Sequence, residues 1–301
     1  MNWSTYNQSL VRRGELLIGF DVIDNWDSEL KEMNKDKVGE PFHYPNTFLL
    51  LLGYAKVYFH LPYRQTEEGI AKGHAKGKVP SIPDYTTISR RINRLNIKFE
   101  DATITDKEST KDNYIIIAID STGIKVTNRG QWIRDKWNIR KGYLKIHIAV
   151  DVKSKKIISM TVTDEHVHDG KMLPKIVDAI AKSKHMTVDK ILADDGAYDS
   201  NAVFKCLTDN EILPCIKVRR NARVKKKTNN TFRNLSAISQ KNDLQRWKDS
   251  IVSYGKRWIA ETVFSCIKRM FAREYVYSIK FKNMVKEMLL KSSLYNKLLS
   301  F

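Results

Sequence analysis

Three acidic residues occupy positions where they could bind divalent metal ions. Asp120 ends the β-branched run YIIIAID, Asp195 lies just past an apolar run in LADDGAYDS, and Glu261 belongs to the segment 254–269. Carboxylate oxygens are ligands that Mg²⁺ prefers. Two such ions can activate the attacking oxygen and stabilise the leaving oxygen of a phosphoryl transfer. We therefore expect a divalent-metal site that handles phosphate, although a single Asp after a strand is also common as a turn residue or helix cap.

The segment YGKRWIAETVFSCIKR, residues 254–269, carries polar residues at spaced positions and is predicted to form one amphipathic helix. At about 100° per residue, Tyr254, Arg257, Glu261 and Lys268 fall within an arc of roughly 60°. This stripe combines one acid with a phenol and two cations. A site that binds both a metal ion and phosphate needs such a combination.

Two regions of different periodicity would position these residues. Residues 1–100 are predicted to be helical, with a buried helix over 45–60 and a helix in PSIPDYTTISRRINRL that Asp84 or a following Thr can cap. The polar residues 101–113 are predicted to be a linker or a long loop.

The pattern changes to that of strands after the linker. We predict strands at 114–120, 143–152, 155–164, 188–194 and 211–217, and helices at 171–182 and 200–210. The second and third strands form a hairpin, and helices alternate with strands after it. The predicted fold class is therefore mixed α/β, with a mixed central sheet flanked by helices.

The charge of the chain favours a polyanionic partner. Lys and Arg number 53 against 34 Asp and Glu, a net charge of +19. Nucleic acid is the first candidate and an acidic membrane surface the second. An insertion at about 217–245 contains a basic run that is either a solvated loop or a phosphate contact, and we expect the contact. Its cationic residues are Arg219, Arg220, Arg223, Lys225, Lys226 and Lys227.

Other features argue against secretion and membrane insertion. The N-terminus lacks the apolar stretch of a signal peptide, and the strongest apolar run spans about a dozen residues and contains Lys56. The cysteines form neither a CxxC pair nor a zinc-ligand spacing. We expect a soluble protein in a reducing, intracellular setting.

These motifs together resemble the DDE transposases of bacterial and archaeal insertion sequences. The shared features are AIDSTGIK, LADDGAYDS and the helix spacing Tyr-x2-Arg-x3-Glu-x6-Lys, which is typical of the group with a Tyr-Arg-Glu-Lys motif. The segments WSTYNQSLVRRGEL and LPYRQTEEGI resemble the helical region that precedes the catalytic domain in one branch. The resemblance covers nearly the whole chain. It implies a ribonuclease-H-like catalytic domain, dependence on Mg²⁺ with Mn²⁺ as a substitute, and cutting and joining of DNA ends that carry inverted repeats.

The resemblance also implies roles for individual residues. Asp120, Asp195 and Glu261 would form the catalytic, metal-binding triad. Asp194 adjoins Asp195 and competes for the second place, but the pattern Asp, one residue, small residue, Tyr matches Asp195. The phosphate-contacting residues near the transposon end would be Tyr254, Arg257 and Lys268.

Further residues were assigned from their chemistry alone. Lys125 is close enough to Asp120 in sequence to contact phosphate, and Trp258 could stack on a displaced base, although most tryptophans are core residues. His147 alternates with Lys145, so we expect it at the surface or behind the site rather than as a metal ligand. Asp169 lies where a strand joins a helix, and Asp169 or Gly170 is expected to be an ordinary helix cap there.

The predicted organisation follows from these assignments. Residues 1–100 would form a helical DNA-binding or dimerisation region, 101–113 a linker, and 114–301 the catalytic domain with its basic insertion at about 217–245. The expected partners are double-stranded DNA and a second copy of the chain in a synaptic complex, in the cytoplasm near the nucleoid. Two alternatives stay open: a metal-dependent nuclease that does not join DNA, and a catalytically idle DNA-binding protein derived from a transposase.

Overall fold

The computed structural model describes most of the chain. The described residues are 3–18, 24–73, 75–97, 99, 114–126, 143–181, 187–194, 196–224, 231–251, 254–271 and 275–300. They fall into two compact units. The first unit comprises Met1–Lys98, Arg269–Arg273 and Tyr277–Phe301, and the second comprises Phe99–Lys268 and Glu274–Val276.

The elements are numbered in chain order. The helices are α1 (Trp3–Ile18), α2 (Trp26–Asn34), α3 (Asn46–Tyr58), α4 (Tyr63–Gln65), α5 (Tyr85–Ile92), α6 (Asp169–Ala181), α7 (Asn201–Asp209), α8 (Thr231–Asn242), α9 (Leu244–Ser250), α10 (Ile259–Met270) and α11 (Phe281–Leu299). The strands are β1 (Tyr114–Val126), β2 (Tyr143–Asp151), β3 (Ile157–Asp164), β4 (Thr187–Ala193), β5 (Leu213–Ile216) and β6 (Tyr275–Val276). A π-helical segment, Thr66–Lys72, continues α4, and 3₁₀ turns lie at Gly196–Tyr198 and Tyr254–Trp258.

The first unit is built from helices, as its sequence pattern predicts. The apolar run after Pro45 forms α3, and most of that helix is buried. Asp84 caps α5 by accepting hydrogen bonds from the backbone N–H groups of Thr86 and Thr87. Both of these predicted helices are confirmed.

The last helix belongs to this first unit. Tyr54 on α3 and Ser293 on α11 share a hydrogen bond of 2.7 Å between their hydroxyls. A Cβ on Gly53 would lie only 3.1 Å from Leu290, so the two helices approach closely at this point. The described residues 277–300 thus pack with the N-terminal helices, whereas the sequence pattern predicts a catalytic domain over 114–301.

The second unit contains a mixed sheet in the order β3-β2-β1-β4-β5. The strands β1, β2 and β3 are antiparallel, and β4 and β5 continue from β1 in parallel. The short strand β6 pairs in parallel with the end of β1. Helices α6 and α7 cover one face, where Ile117 packs in a core cluster with Ile176 and Phe204. The predicted mixed α/β class, with a mixed central sheet, a hairpin and alternating helices, is confirmed.

Strand β1 is longer than the sequence suggests. The prediction ended it at Asp120, because the following Ser, Thr and Gly favour a turn. The strand instead continues to Val126 and pairs with β2 from Ile117 to Lys125. The prediction was wrong because the hydrogen bonds to β2 outweigh the weak strand preference of those small residues.

The insertion at about 217–245 also contains regular structure. Helix α8 and the start of α9 lie within it, so part of this segment is helical rather than an open basic loop. Within the described parts of the chain, we find no helix with both the length and the apolar character needed to span a bilayer.

Candidate active site

The candidate site lies where β1 and β4 separate. Their last paired residues are Ala118 and Leu192, so Asp120 and Asp194 each stand two residues beyond that pair. Chain order reverses here, because β2 follows β1 on one side of the sheet and β4 lies on the other. In open α/β sheets, ligands bind at such a reversal, outside the carboxyl ends of the strands.

Helix α10 brings Glu261 to the face of the sheet that carries Asp120. Lys268 donates a hydrogen bond of 3.1 Å from Nζ to the hydroxyl of Thr122. Thr122 is two residues after Asp120 in a strand, so both side chains point to the same face. Lys268 is two helical turns after Glu261 and lies on the same side of α10. The contact therefore places the side of α10 that carries Glu261 along the Asp120 face of β1.

The prediction that segment 254–269 forms one continuous α-helix is wrong. Residues Tyr254–Trp258 form a 3₁₀ turn, and α10 begins only at Ile259. Gly255 disfavours the α-helix, and a 3₁₀ turn is common at a helix start. The rotation in this turn is about 120° per residue, so the predicted arc holds only from Glu261 onward.

Arg257 links two of the carboxylates. Its guanidinium lies 2.7 Å from Asp194 Oδ2 and 3.3 Å from Glu261 Oε1. Lys217 Nζ lies 3.0 Å from the other oxygen of Asp194. The β4 end, the α10 start and the segment after β5 therefore meet through these ion pairs.

The described donor groups suit a hard divalent cation. Asp120 and Glu261 offer carboxylate oxygens on one face, and Asp120 Oδ1 already accepts a 2.8 Å hydrogen bond from the backbone N–H of Ser121. Asp195 lies outside the described residues. Among the residues that are described, no group of three or more His, Cys, Asp or Glu side chains is close enough to hold a metal ion.

The predicted DNA-contacting residues near α10 differ in exposure. Trp258 is 52% exposed, whereas Tyr254 is 3% exposed and packs its ring edge-on against Trp247. Burial, and then the charge of Asp194, raise the pKa of Tyr254 well above its usual value. Among the described residues, the Tyr254 hydroxyl has no hydrogen-bond partner. Lys125 is exposed, but it is five residues from Asp120, so strand alternation directs it to the opposite face.

Part of the basic run supports the loop after β4. Arg219 donates a 2.6 Å hydrogen bond from Nε to Gly196 O, and its backbone N–H donates to Asp199. Asp199 is buried and accepts two hydrogen bonds from the Arg233 guanidinium, at 2.8 and 3.2 Å. A Cβ on Gly196 would lie 2.9 Å from the Arg219 side chain. Helix α8 is thus tied to the segment that follows Asp194.

The remaining cations of the run have different placements. Arg220 and Arg223 are exposed, as a phosphate-contacting role requires. Three predicted residues, Lys225, Lys226 and Lys227, lie outside the described residues.

A cluster around Asp169 was missed by the sequence reasoning. His147 is fully buried, not at the surface, and its Nδ1 lies 3.1 Å from Asp169. Lys145 forms an ion pair with the same carboxylate at 2.9 Å. The alternation of Lys145 with His147 suggested a polar face, and it did indicate that the two share a side of β2. What it could not show is that Asp169, beyond β3, covers that side.

The comparisons with known proteins agree with this geometry. A family model described as a transposase DDE domain matches residues 111–297, and a second model with the same description matches residues 11–129. The chain therefore belongs to the DDE transposase family. It is a DNA-processing enzyme of the DDE type, and the family implies dependence on a divalent metal ion.

One solved structure with similarity to this chain is the Drosophila P element transposase strand transfer complex. It is 14% identical, and the match covers 94% of this chain and 70% of that one with a TM-score of 0.36. This similarity is too low to support an inference about the present chain.

Proposed function

We propose that the protein is the cut-and-join transposase of an insertion sequence. It hydrolyses DNA at terminal inverted repeats, and the freed 3′-hydroxyl then attacks target DNA. The observation that carries the proposal is the Lys268–Thr122 contact, because it aligns the α10 side bearing Glu261 with the sheet face bearing Asp120. A carboxylate from a helix and one from a strand then face the same space at the reversal of chain order.

The metal site of the proposal consists of Asp120, Asp195 and Glu261. These residues would hold Mg²⁺, with Mn²⁺ as a substitute. When bound, the metal ions activate the attacking oxygen and stabilise the leaving oxygen. Asp194 remains the competitor of Asp195, since it is the acid that the described contacts connect to Glu261 through Arg257.

The cationic groups of the proposal bind the DNA strand that is cut. Arg257 can exchange its two carboxylate partners for a phosphate, which a guanidinium binds in bidentate fashion. Lys268 adds a positive charge on α10, two helical turns after Glu261. Arg220 and Arg223 would bind the DNA backbone and position the duplex without reading its sequence.

The proposed partners follow from charge and chemistry. A net charge of +19 suits double-stranded DNA, and its contribution to binding should fall steeply with added salt. Two DNA ends need two active sites, so we propose a homodimer within a synaptic complex. Residues 1–100 would bind DNA or the second copy, and the protein would act in the cytoplasm beside the nucleoid.

The test is a cleavage assay with the full chain. End-labelled DNA that carries the ends flanking the gene is incubated with Mg²⁺, Mn²⁺ or EDTA. Glu261→Gln removes a proposed ligand, and Asp178→Asn removes an exposed carboxylate on α6 as the matched control. We expect metal-dependent cuts at the repeat boundary, joined products with target DNA, and loss of both in Glu261→Gln alone.

Two other results would identify the alternatives. Cuts without joined products would indicate a nuclease. Salt-sensitive binding without any cut under either metal would indicate an idle DNA-binding protein, and the proposed activity would then be wrong for this chain.

A further inference from the structure

Helix α5 of the first unit carries two arginines on its outward side. Ile88 and Ile92 are buried and face the core of the unit. Arg90 is two residues from each of them, so a rotation of about 100° per residue turns it to the opposite side of the helix. The winding continues past the last residue of α5, because the backbone N–H of Leu95 still donates to a helix carbonyl at 3.0 Å. Arg94 therefore lies beside Arg90, and both side chains are exposed.

The arginine between these two belongs to the fold instead. The Arg91 guanidinium donates a 2.8 Å hydrogen bond to Asn46 Oδ1, and its central carbon lies 4.1 Å from the centre of the Phe42 ring. Among the described residues, Arg90 and Arg94 form neither a hydrogen bond nor an ion pair. These two arginines are thus accessible to a binding partner, whereas Arg91 is held inward.

Further cations lie at both ends of α5. At its start, the Arg64 guanidinium covers the Tyr85 ring at 4.2 Å and donates to the Tyr85 hydroxyl at 3.0 Å. Past its end, Lys286 of α11 donates a 2.6 Å hydrogen bond to the carbonyl of Leu95. Ten residues separate Tyr85 from Leu95, which corresponds to about 15 Å along a helix. Positive charge therefore extends over the whole length of α5.

The acids beside α5 are already paired or bonded. Glu67 accepts a hydrogen bond from the backbone N–H of Tyr85 at 2.8 Å and pairs with Lys72 at 2.7 Å. Asp84 caps the helix and accepts from backbone N–H groups of its first turn. The outward surface of α5 is consequently cationic, and its charge is complementary to a polyanion.

The charge of this surface disfavours a second copy of the chain as its partner. A two-fold contact brings the same patch of both copies together, so each arginine pair would face its own copy. Like charges placed opposite each other in an interface are costly. DNA is the partner that the surface of α5 fits.

The dimensions of α5 fit the major groove. That groove is about 12 Å wide and admits an α-helix. Cations at the two ends of the helix would then lie near the phosphates that border the groove, and the residues of the helix itself would lie nearest the base edges. Arg90 is within the helix, and a guanidinium can bind the O6 and N7 atoms of guanine together. Arg94 follows the helix, on the side of the bordering phosphates.

We propose that α5 lies in the major groove of the transposon-end DNA, where Arg90 reads a base edge and Arg94 binds a phosphate. The inference rests on the proposed function, because recognition of a specific DNA end is part of that proposal. It assigns DNA, not the second copy, to this surface of the first unit.

The test measures binding of the full chain to two labelled DNAs by fluorescence anisotropy, in EDTA so that no strand is cut. One DNA carries the ends that flank the gene, and the other has the same bases in scrambled order. Arg90→Gln should weaken binding to the end DNA about 10- to 100-fold, the range for one bidentate base contact, and change binding to the scrambled DNA far less. Arg94→Gln should weaken binding to both DNAs alike and lower the slope of log affinity against log salt by about one.

The control is Arg12→Gln, which removes an exposed arginine of α1 and should keep the wild-type ratio of the two affinities. If the wild type prefers the end DNA and Arg90→Gln retains that preference, the base-reading role is wrong and the proposed function stands. If the wild type binds both DNAs equally, end recognition fails and the inference fails with it. Normal DNA binding by the double variant of Arg90 and Arg94, with altered sedimentation of the free protein, would assign the surface to the second copy. Thermal unfolding of each variant checks that the fold is intact.

Discussion

Two buried carboxylates, one in each unit, are held by similar interactions but have different neighbours. Asp169 and Glu287 are each 4% exposed. Glu287 on α11 accepts hydrogen bonds from the backbone N–H groups of Tyr277 and Ser278, and it pairs with Lys291 at 3.0 Å. Burial alone would raise both pKa values, but the hydrogen bonds and cations lower them.

The partners of the two acids distinguish their roles. Those of Asp169 are Lys145 and His147 on β2, and His147 is paired in the sheet with Ser121, the residue next to Asp120. Those of Glu287 are its own helix, the segment just before it and the charge of Lys56 on α3, and among the described residues they include none of the candidate site. Similar burial and similar pKa shifts therefore do not identify a functional acid. The informative observation is which residues each set of contacts holds in place.

The largest expected effect is on stability and concerns Glu287. Glu287→Gln leaves Lys291, which is 3% exposed, without its carboxylate. Removing one partner of a buried ion pair costs about 3–5 kcal/mol, so we expect a loss of that size in the free energy of unfolding. Chemical denaturation measures it. Mn²⁺ affinity should not change, and a loss of affinity there would contradict the distinction between the two acids.

The same variant gives a pH test. The pKa of Glu287 is lowered in the folded protein, so its stabilisation is fully present above the unfolded value of about 4.3. It is lost as pH falls through the folded pKa. The stability difference between wild type and Glu287→Gln should therefore be constant from pH 7 to 5 and shrink in more acid solution. A difference that grows below pH 4 would have the wrong sign.

The next effect concerns the second metal ligand. If Asp195 is the ligand, Asp195→Asn should lower cleavage by more than about 100-fold, beyond the range for groups behind a metal site. Asp194→Asn should cost less, because it breaks ion pairs with Arg257 and Lys217 and no metal contact. Single-turnover cleavage of labelled ends compares the two. The reverse order of effects would assign the second place to Asp194.

A third buried acid, Asp199, tests whether a buried ionic contact supports the candidate site as well as the fold. Its partner Arg233 extends from α8, and its other contact, the Arg219 backbone, joins the segment after β5 to the loop after β4. Arg233→Lys keeps the charge but loses the bidentate geometry. We expect a stability loss of about 1 kcal/mol, typical of a hydrogen bond. Cleavage should fall by about tenfold, less than the loss for a metal ligand, because the loop beside Asp194 is less well held.

Unfolding and cleavage of Arg233→Lys are measured on the same preparation. Glu287→Gln should show the opposite pattern, with a large loss of stability and normal cleavage at a temperature where it is folded. If the loss of cleavage relative to the loss of stability is the same in the two variants, the Asp199 contacts do not support the site.

Local sequence patterns predicted much of the fold and less of the site. The hairpin, α3 and the Asp84 cap follow from alternation, apolar runs and capping chemistry, which are short-range. The extension of β1 does not follow from local patterns, because Ser121 to Gly123 favour a turn locally and form a strand only through pairing with β2. The Asp169 cluster was missed because a helix cap is a sufficient local explanation for that residue. Its partners are distant in sequence, and only the register of the sheet brings them together.

The smallest effect concerns Tyr254 and tests whether a buried group belongs to the site. Its hydroxyl is buried with no partner among the described residues, so Tyr254→Phe should leave stability unchanged or raise it, by no more than about 1 kcal/mol. If the hydroxyl turns to a phosphate of bound DNA, cleavage should fall by roughly tenfold at low salt while stability does not fall. Thermal unfolding and cleavage of one preparation decide this. A loss of stability with normal cleavage would mean that the hydroxyl serves the packing against Trp247, as Glu287 serves its own helix.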